Sequence, residues 1–474
     1  MSEHREALVV GAGVAGLVAA RELVLQGWSV RVLEASERPG GQVAAHELAG
    51  ITLDSGAEAF ATRGGVVHDY LARLGLADRI VSPVDAPAWL YARDDLCVPL
   101  PAVSFLGIPA APLAADVVAV VGRRGAWRAQ LDALLPGTVG ANSPTVGALV
   151  RRRMGDSLLE KLVAPVVEGI HSRHPDDLPL ESAPGLRHHL LRENSLGRAV
   201  SRLRLDSPAG SLVATLEGGM GSLVAALVAE LDRYGVPIEY GVRVAHASRD
   251  HVALASQQPD NDVAEPELRH GRVIVAAPGV VAPVTTTETT VVTLVLDANA
   301  VPALAAAPRG SGVLVARGTA VQARALTHVS AKWSSVRESA PGREVVRLSY
   351  EHVPAIEQAR RDASVLLGVS IPREAIVDSR VVTWHRAMKS PAEHIASAGL
   401  PVVGEQVSGT GLAAVIDHAR RVVAEIGSPD DDAERDAQRS DAPQHDATPH
   451  GTSQHDAAGP HATEHDPTPK EPTA

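Results

Sequence analysis

Cysteine and aromatic residues are scarce in this sequence. Cys97 is the only cysteine among 474 residues, which excludes an internal disulfide and a cysteine-based metal site. A chain without disulfides suits a reducing compartment, and we interpret Cys97 as a packing residue. Aromatic residues make up only 3% of the chain. A large ligand pocket would therefore need mostly aliphatic walls.

Long apolar runs are also missing. A membrane-spanning helix needs about 18 or more consecutive apolar residues, and the nearest candidate, residues 105–121, contains Pro109, Pro112 and Asp116. The first residues, MSEHRE, lack the basic and apolar segments of a signal peptide. We therefore expect a cytoplasmic protein, with peripheral contact to a membrane left open.

The charge distribution argues against nucleic-acid binding. The net charge is −12, and residues 428–474 supply eleven acids against three bases, or −8 of it. The remaining chain is thus near −4 and shows no clustered basic surface of the kind that nucleic acids require. With 45% hydrophobic and 21% charged residues, the body has a globular composition of two or three domains.

Residues 428–474 have the composition of a disordered tail. They are rich in Asp, Pro, Ala, Ser, Thr and His and have no apolar periodicity. His-Asp pairs recur every ten residues at His445, His455 and His465. A solvated tail is the preferred interpretation over a metal-collecting one, and no metal site is predicted.

The opening stretch, residues 6–42, has the pattern of a dinucleotide-binding unit. Gly11, Gly13 and Gly16 have G-x-G-x-x-G spacing between an apolar run and a helical pattern, and a second apolar run ends in Glu34. The glycines allow a tight turn, backbone approach to a pyrophosphate, and close helix–strand packing. Glu34 has the spacing of an acid that binds the adenosine ribose. The helix N-terminus would receive the phosphates.

The next residues favour a flavin over a nicotinamide cofactor. The segment from Glu34 through Arg38 to Gly40 and Gly41 resembles the extension found in the FAD-dependent amine oxidase, phytoene desaturase and protoporphyrinogen oxidase superfamily. In that superfamily the glycine pair approaches the flavin side of the cofactor and the arginine lies near the phosphates. The resemblance implies FAD as the cofactor.

Further segments extend the resemblance over residues 7–426. Val244 stands where the family backs the adenine, and the closing segment supplies Gly404, Glu405, Gly411 and Leu412 before a last helix. The implied fold class is α/β, with a Rossmann-like FAD domain of the amine-oxidase type, a mixed-sheet substrate domain and a helical insertion. The expected bounds are 1–52, 212–288 and 380–427 for the FAD domain, 53–106 and 289–379 for the substrate domain, and 107–211 for the insertion.

Two stretches resemble protoporphyrinogen and coproporphyrinogen oxidases in particular. Residues 54–63 read DSGAEAFATR, and residues 325–333 read ALTHVSAKW, which we expect to be a strand. The resemblance implies FAD-dependent oxidation of a porphyrinogen to a porphyrin, with oxygen as acceptor and coproporphyrinogen III favoured over protoporphyrinogen IX. Arg63 and Lys332 are the candidate substrate-binding residues, since guanidinium groups bind carboxylates in bidentate fashion. The alternatives are that Arg63 neutralises Glu58 and that Lys332 belongs to an ordinary strand edge.

Other expectations concern local structure. We expect strands at residues 46–53 and 236–247, a helical pattern at 107–121, a helix from 145 to about 169, and a hairpin tip at 256–269. Three consecutive arginines, Arg151, Arg152 and Arg153, point in different directions around a helix and are interpreted as a solvated face. His171 and His174 have too few companions for a metal site.

One departure from the family keeps other functions open. Between Trp384 and Gly404 the chain is shorter than the resemblance would require. An FAD-binding protein without turnover therefore remains an alternative. An amine oxidase or a carotenoid desaturase is another, because these enzymes share the cofactor core. Contact with ferrochelatase is left open. No nucleophile motif of the G-x-S-x-G type occurs, and no general base is assigned, because the cofactor itself carries the difficult chemistry.

Overall fold

A computed structural model describes residues 6–171, 173–205, 213–255, 266–388 and 399–427. The predicted tail, 428–474, and most of the hairpin tip lie outside them. The strands are β1 (Glu6–Val10), β2 (Ser29–Leu33), β3 (Ala45–Leu48), β4 (Ile51–Asp54), β5 (Phe60–Ala61), β6 (Ile80–Val81), β7 (Ala88–Arg93), β8 (Leu96–Pro99), β9 (Ser104–Phe105), β10 (Ile108–Pro109), β11 (Val213–Leu216), β12 (Ile238–Glu239), β13 (Val244–Ala247), β14 (His251–Leu254), β15 (Leu268–His270), β16 (Arg272–Val275), β17 (Thr286–Asp297), β18 (Gly312–Val315), β19 (Ala325–His328), β20 (Arg343–Tyr350) and β21 (Ile376–Ala387).

The α-helices are distributed unevenly between these strands, and six of them follow one another between β10 and β11. They are α1 (Val14–Leu25), α2 (Val66–Arg73), α3 (Ala115–Gln130), α4 (Val146–Met154), α5 (Asp156–Leu158), α6 (Ala164–His171), α7 (Leu186–Glu193), α8 (Leu196–Leu205), α9 (Gly221–Arg233), α10 (Val329–Lys332), α11 (Ser334–Ser339), α12 (Ile356–Leu367), α13 (Glu405–Ser408) and α14 (Leu412–Ile426). A π-helical stretch, Leu159–Val163, joins α5 to α6.

A four-stranded parallel sheet carries the glycine motif. Its strand order is β12, β2, β1, β16, with β1 in the centre. The apolar residues of β1 are buried on both faces, as in parallel sheets that are covered on both sides. Helices α1, α9 and α14 share one core with β1, and the antiparallel sheet of β13, β14 and β15 packs on the other side. The predicted order of strand, glycine turn, helix, strand and acid is confirmed.

A second, seven-stranded sheet is the largest sheet that the structure describes. Its order is β21, β17, β20, β19, β18, β7, β8, and only the β18–β7 pair is parallel. Helix α12 packs on one face of it. The predicted mixed sheet is confirmed. The expected domain bounds stay a prediction, and three of them fall inside strands, namely β4, β17 and β21.

A third core lies among the helices of residues 115–205. Leu149, Leu159 and Leu190 are completely buried in it. The helical insertion is therefore confirmed in type, but its helices differ from the expectation. Residues 107–121 are not one helical segment, because Ile108–Pro109 pairs with β9 and the helix starts only at Ala115, after Pro112.

The predicted helix 145–169 is also interrupted. Gly155 adopts a φ of 89°, which ends α4. The solvated-face interpretation of the three arginines is wrong for Arg153, whose side chain is completely buried. Burial is possible because Arg153 donates hydrogen bonds to Asp132 and to surrounding carbonyl groups.

Three strand predictions need correction. Residues 46–53 form a hairpin, β3 and β4, because Ala49 and Gly50 turn the chain with φ values of 48° and 76°. Residues 236–247 form two strands, with a turn at Gly241 between β12 and β13. The segment 325–333 is a strand only to His328 and continues as helix α10.

Candidate functional site

The glycine turn between β1 and α1 leaves one open position. A Cβ on Gly11 would lie 3.1 Å from the nitrogen of Ala277, and a Cβ on Gly16 only 1.8 Å from the carbonyl oxygen of Gly11. A Cβ on Gly13, in contrast, would meet no protein atom within 4 Å. Gly11 and Gly16 are thus required by the packing of the protein. Gly13 borders open space at the N-terminus of α1, where a diphosphate would bind.

Glu34 is held beside this turn. Its carboxylate accepts hydrogen bonds from the backbone N–H of Ala12, at 2.6 Å, and of Ser36, at 2.8 Å. The backbone of Val242 donates to the carbonyl oxygen of Glu34 at 2.9 Å, and Val244 then begins β13. The acid and the segment predicted to back the adenine therefore meet at the end of β2.

The second glycine pair lies against the first turn. The N–H of Gly40 donates to the carbonyl oxygen of Ala12 at 2.7 Å. A Cβ on Gly41 would lie 3.4 Å from the Cα of Gly13, an ordinary van der Waals distance, so glycine is favoured there by its φ of 56° and not by crowding. Arg38 donates to the carbonyl oxygen of Gly41 at 3.1 Å, and its guanidinium lies 5.5 Å from the ring centre of Trp384.

The closing segment returns to the same place. Gly404 has a φ of 106°, and a Cβ there would lie 3.6 Å from the Cβ of Ala15 in α1. Glu405 accepts hydrogen bonds from Gln42 at 3.0 Å and from Arg386 at 2.7 Å. Helix α14 follows.

Helix α14 completes the arrangement around the turn. Gly411, with a φ of 102°, precedes Leu412, the first residue of α14. Ile416 and Val423 of α14 share a buried core with Leu17 of α1. Residues 6–42 and 404–427 therefore lie together around one opening. Two helix N-termini, an acid at ribose spacing and the open position at Gly13 border this opening. This donor set fits an adenine dinucleotide. The individual contacts stay predictions.

Lys332 belongs to an ion-pair cluster around Glu58. The Lys332 ammonium lies 2.5 Å from one carboxylate oxygen of Glu58, and Arg347 lies 3.3 Å from the other. Arg347 also donates to the carbonyl oxygen of Gly56. Burial alone would raise the pKa of Glu58, but the charges of Lys332 and Arg347 outweigh it and hold that pKa below its ordinary value. The carboxylate that we considered as a partner for Arg63 is thus bound by these two cations.

Arg63 lies where the 54–63 segment meets the helical region. It donates to the carbonyl oxygen of Pro184 at 3.1 Å, and its guanidinium lies 5.0 Å from the ring centre of Phe105. Burial, and after it the positive charge of Arg204, lower the pKa of Arg63. Arg63 and Arg204 therefore concentrate positive charge at this seam.

A cavity of about 650 Å³ opens between β4, the turn at Gly218 and Gly219, and the part of the seven-stranded sheet next to α11. Asp54, Glu58, Arg347 and Trp333 are among the residues that line it. Burial raises the pKa of Asp54 to about 6, although Met220 and Gly221 at the start of α9 donate backbone hydrogen bonds to it. Neither substrate candidate and none of the predicted cofactor residues lines this cavity. It lies beside the cofactor opening and not within it.

Sequence reasoning missed Gln42 and Arg386. Gln42 binds Glu405, which lies 363 positions away along the chain. Spacing rules cover contacts within one helix, strand or turn, so no periodicity connects such distant positions. Alternation along β21 could have placed Arg386 on the same face as Trp384, and this was the one usable signal.

The part of the chain that the structure describes contains neither a metal-binding cluster nor a membrane-spanning helix. No group of three or more His, Cys, Asp or Glu side chains there is arranged to hold a metal ion. No helix there is long and apolar enough to cross a membrane. The expectation of no metal stays a prediction.

Comparisons with known proteins place the chain in a family. The family model for flavin containing amine oxidoreductases matches residues 14–310. Coproporphyrinogen III oxidase of Mycobacterium tuberculosis (strain ATCC 25618 / H37Rv) is 29% identical over 456 residues, covering 89% of this chain and 97% of the relative. The enzyme of the same name from Mycobacterium leprae (strain TN) is 30% identical over 461 residues, covering 88% and 97%.

Solved structures agree on the fold. A crystal structure from Exiguobacterium sp. 255-15, assigned as a protoporphyrinogen oxidase, has a TM-score of 0.73 at 22% identity and covers 90% of this chain and 99% of its own. Cyclohexylamine oxidase from Brevibacterium oxydans IH-35A has a TM-score of 0.59 at 14% identity, covering 91% and 100%. The family match over residues 14–310, together with the cofactor opening, shows that the chain belongs to the flavin containing amine oxidoreductase family and uses FAD.

Proposed function

We propose that this protein oxidises a porphyrinogen to a porphyrin in haem biosynthesis, with coproporphyrinogen III favoured over protoporphyrinogen IX. The observation that carries the proposal is the extent of the similarity. Relatives named coproporphyrinogen III oxidase are matched over 97% of their own length, which includes both sheets and the helical region. The fold alone would support amine oxidation equally well, because the amine oxidase neighbours share it.

Positive charge near Arg63 supports the preference for coproporphyrinogen. The predicted helical insertion, residues 107–211, contains 13 Lys and Arg residues against ten Asp and Glu, a formal charge of +3 in a chain of −12. Arg204 belongs to it and acts on Arg63. Coproporphyrinogen III carries propionates where protoporphyrinogen IX carries vinyl groups. A cationic seam should therefore stabilise it more strongly.

The residues of the chain bind and orient in this proposal. The glycine turn and the N-terminus of α14 would hold FAD, which would supply the acceptor for hydride from the methylene bridges of the substrate and pass electrons to molecular oxygen. Arg63 would bind a propionate. Lys332 acts through Glu58, whose charge it balances beside Gly56. No general base is assigned. A cytoplasmic location stays part of the prediction.

An anaerobic half-reaction tests the proposal. The purified protein, reconstituted with FAD, is mixed with coproporphyrinogen III or protoporphyrinogen IX without oxygen. We expect flavin absorbance to bleach, and to bleach faster with coproporphyrinogen III. A porphyrinogen gives up six electrons and each flavin accepts two, so full conversion to fluorescent porphyrin should follow only after oxygen is admitted. Admission of oxygen should restore the flavin. Bound FAD that neither porphyrinogen reduces would contradict the proposal, and peroxide formation with amines instead would assign an amine oxidase.

A further inference from the structure

Arg386 neutralises a carboxylate at the cofactor opening. Glu405 directly follows Gly404, which lies against Ala15 in the first turn of α1. The same carboxylate binds Gln42, the residue after the glycine pair that lies against Gly13. Glu405 is thus placed among the segments that surround the opening. Its side chain is only 15% exposed, so water screens its charge weakly.

Glu405 belongs to the predicted cofactor residues, but its carboxylate without a compensating charge would oppose the binding of a diphosphate. FAD brings two negative charges to the N-terminus of α1, and like charges in a partly buried site repel each other. Arg386, whose side chain is 22% exposed, lies 2.7 Å from Glu405 and supplies the compensating charge from strand β21. Gln42 occupies the other carboxylate oxygen with a neutral amide.

We propose that Arg386 is a positioning residue for FAD: it holds and neutralises Glu405, so that the cofactor binds more tightly when strand β21 lies against the closing segment. Two neighbouring contacts join the same face of the sheet to residues 55 and 56, which are tied to Gln42 by the 3.0 Å hydrogen bond from the N–H of Ala57 to its carbonyl oxygen. The Trp384 indole N–H donates to the carbonyl oxygen of Ser55 at 2.8 Å, and Arg347 donates to that of Gly56. The inference rests on FAD binding and is independent of the substrate.

The test is the dissociation constant of FAD from the apoprotein, measured by quenching of flavin fluorescence. R386Q should raise this constant at least tenfold. R380Q is the matched control, because Arg380 lies on the same face of the same strand, is exposed, and gives the same change in net charge. R386K should bind FAD nearly as well as the wild type, since it keeps the positive charge.

The double variant R386Q/E405Q separates positioning from direct contact. If Arg386 acts by neutralising Glu405, removing both charges should bring the dissociation constant back to within about threefold of the wild-type value. A double variant as weak as R386Q would mean that Arg386 acts on FAD itself and would overturn the inference. An R386Q constant within twofold of the R380Q constant would overturn it as well. R386K and E405Q, with circular dichroism spectra of the wild type, show that the fold is kept.

Discussion

Replacing Arg153 by methionine should destabilise the helical region strongly. Arg153 is completely buried between α4 and the segment 131–139. Its guanidinium pairs with Asp132 and donates to the carbonyl oxygens of Pro136 at 2.9 Å and Val139 at 2.8 Å. It also donates to the carbonyl oxygens of Asp132, Leu135 and Asn194, at 3.1, 3.2 and 3.2 Å. One side chain therefore connects three segments of the helical core.

The magnitude follows from what the substitution leaves behind. Methionine has a similar length, so the cavity term is small and the loss is mainly polar. Asp132 is 2% exposed and would keep only Ser195 and the N–H of Gly197 as donors. Breaking a buried ion pair by removing one partner costs about 3–5 kcal/mol. The five carbonyl groups lose a donor as well, which adds to the cost, while relaxation of the surrounding backbone reduces it. We therefore expect a total cost within that range.

Hydrogen exchange measures this cost where it arises. A loss of about 3 kcal/mol raises the local opening equilibrium roughly 100-fold, because each 1.4 kcal/mol is about tenfold. We expect that acceleration for peptides covering α4 in R153M. R152M is the control, since Arg152 is the exposed neighbour in the same helix. Acceleration below roughly tenfold relative to R152M would refute the reasoning that the buried network stabilises this region.

Three further predictions concern the cofactor turn, the pH dependence of stability and the substrate. G13A should leave the melting temperature of the apoprotein unchanged yet weaken FAD binding at least tenfold. G16A should lower the melting temperature of the apoprotein, because its Cβ would lie 1.8 Å from the carbonyl oxygen of Gly11. If G16A and the wild type melted at the same temperature, this packing argument would be wrong. Because burial raises the pKa of Asp54 from 3.8 to about 6, the stability due to its protonated form is present below pH 4 and lost as the pH rises through 6. The urea stability of D54N relative to the wild type should therefore increase by about 2 kcal/mol from pH 4.5 to 7.5, and a constant difference would rule out the raised pKa. R63Q should raise the KM for coproporphyrinogen III about tenfold, with kcat and FAD affinity unchanged. The control R73Q, at an exposed position of α2, should leave this KM unchanged. An unchanged KM in R63Q would show that Arg63 does not bind the substrate.

The cofactor turn could be predicted in detail because its requirements are local. Positive φ at Gly11 and the close approach at Gly16 follow from adjacent residues, and the spacing to Glu34 spans one strand–helix–strand unit. The apolar runs of β1 and β16 likewise identify buried parallel strands. Local sequence determines these elements, so the pattern of neighbouring residues is enough to predict them.

The misplaced elements share a different cause. Arg153 looks like its exposed neighbours in sequence, and only the carbonyl groups of a distant segment make its burial favourable. The stretch after His328 forms α10, and there Lys332 pairs with Glu58, which lies 274 positions earlier. Tertiary contacts of this kind override local propensity. The strand period of 2 and the helix period of 3.6 describe only neighbouring residues, so they cannot predict such contacts.

The same long-range contacts explain why the cofactor site depends on the second sheet. Trp384, Arg347 and Arg386 lie on one face of β20 and β21 and bind Ser55, Gly56 and Glu405 respectively. All three contacts come from the seven-stranded sheet, in which β17 lies between β20 and β21. They join that sheet to the closing segment and to residues 55 and 56. FAD affinity is therefore a property of both sheets together, and the four-stranded sheet alone would hold the cofactor more weakly.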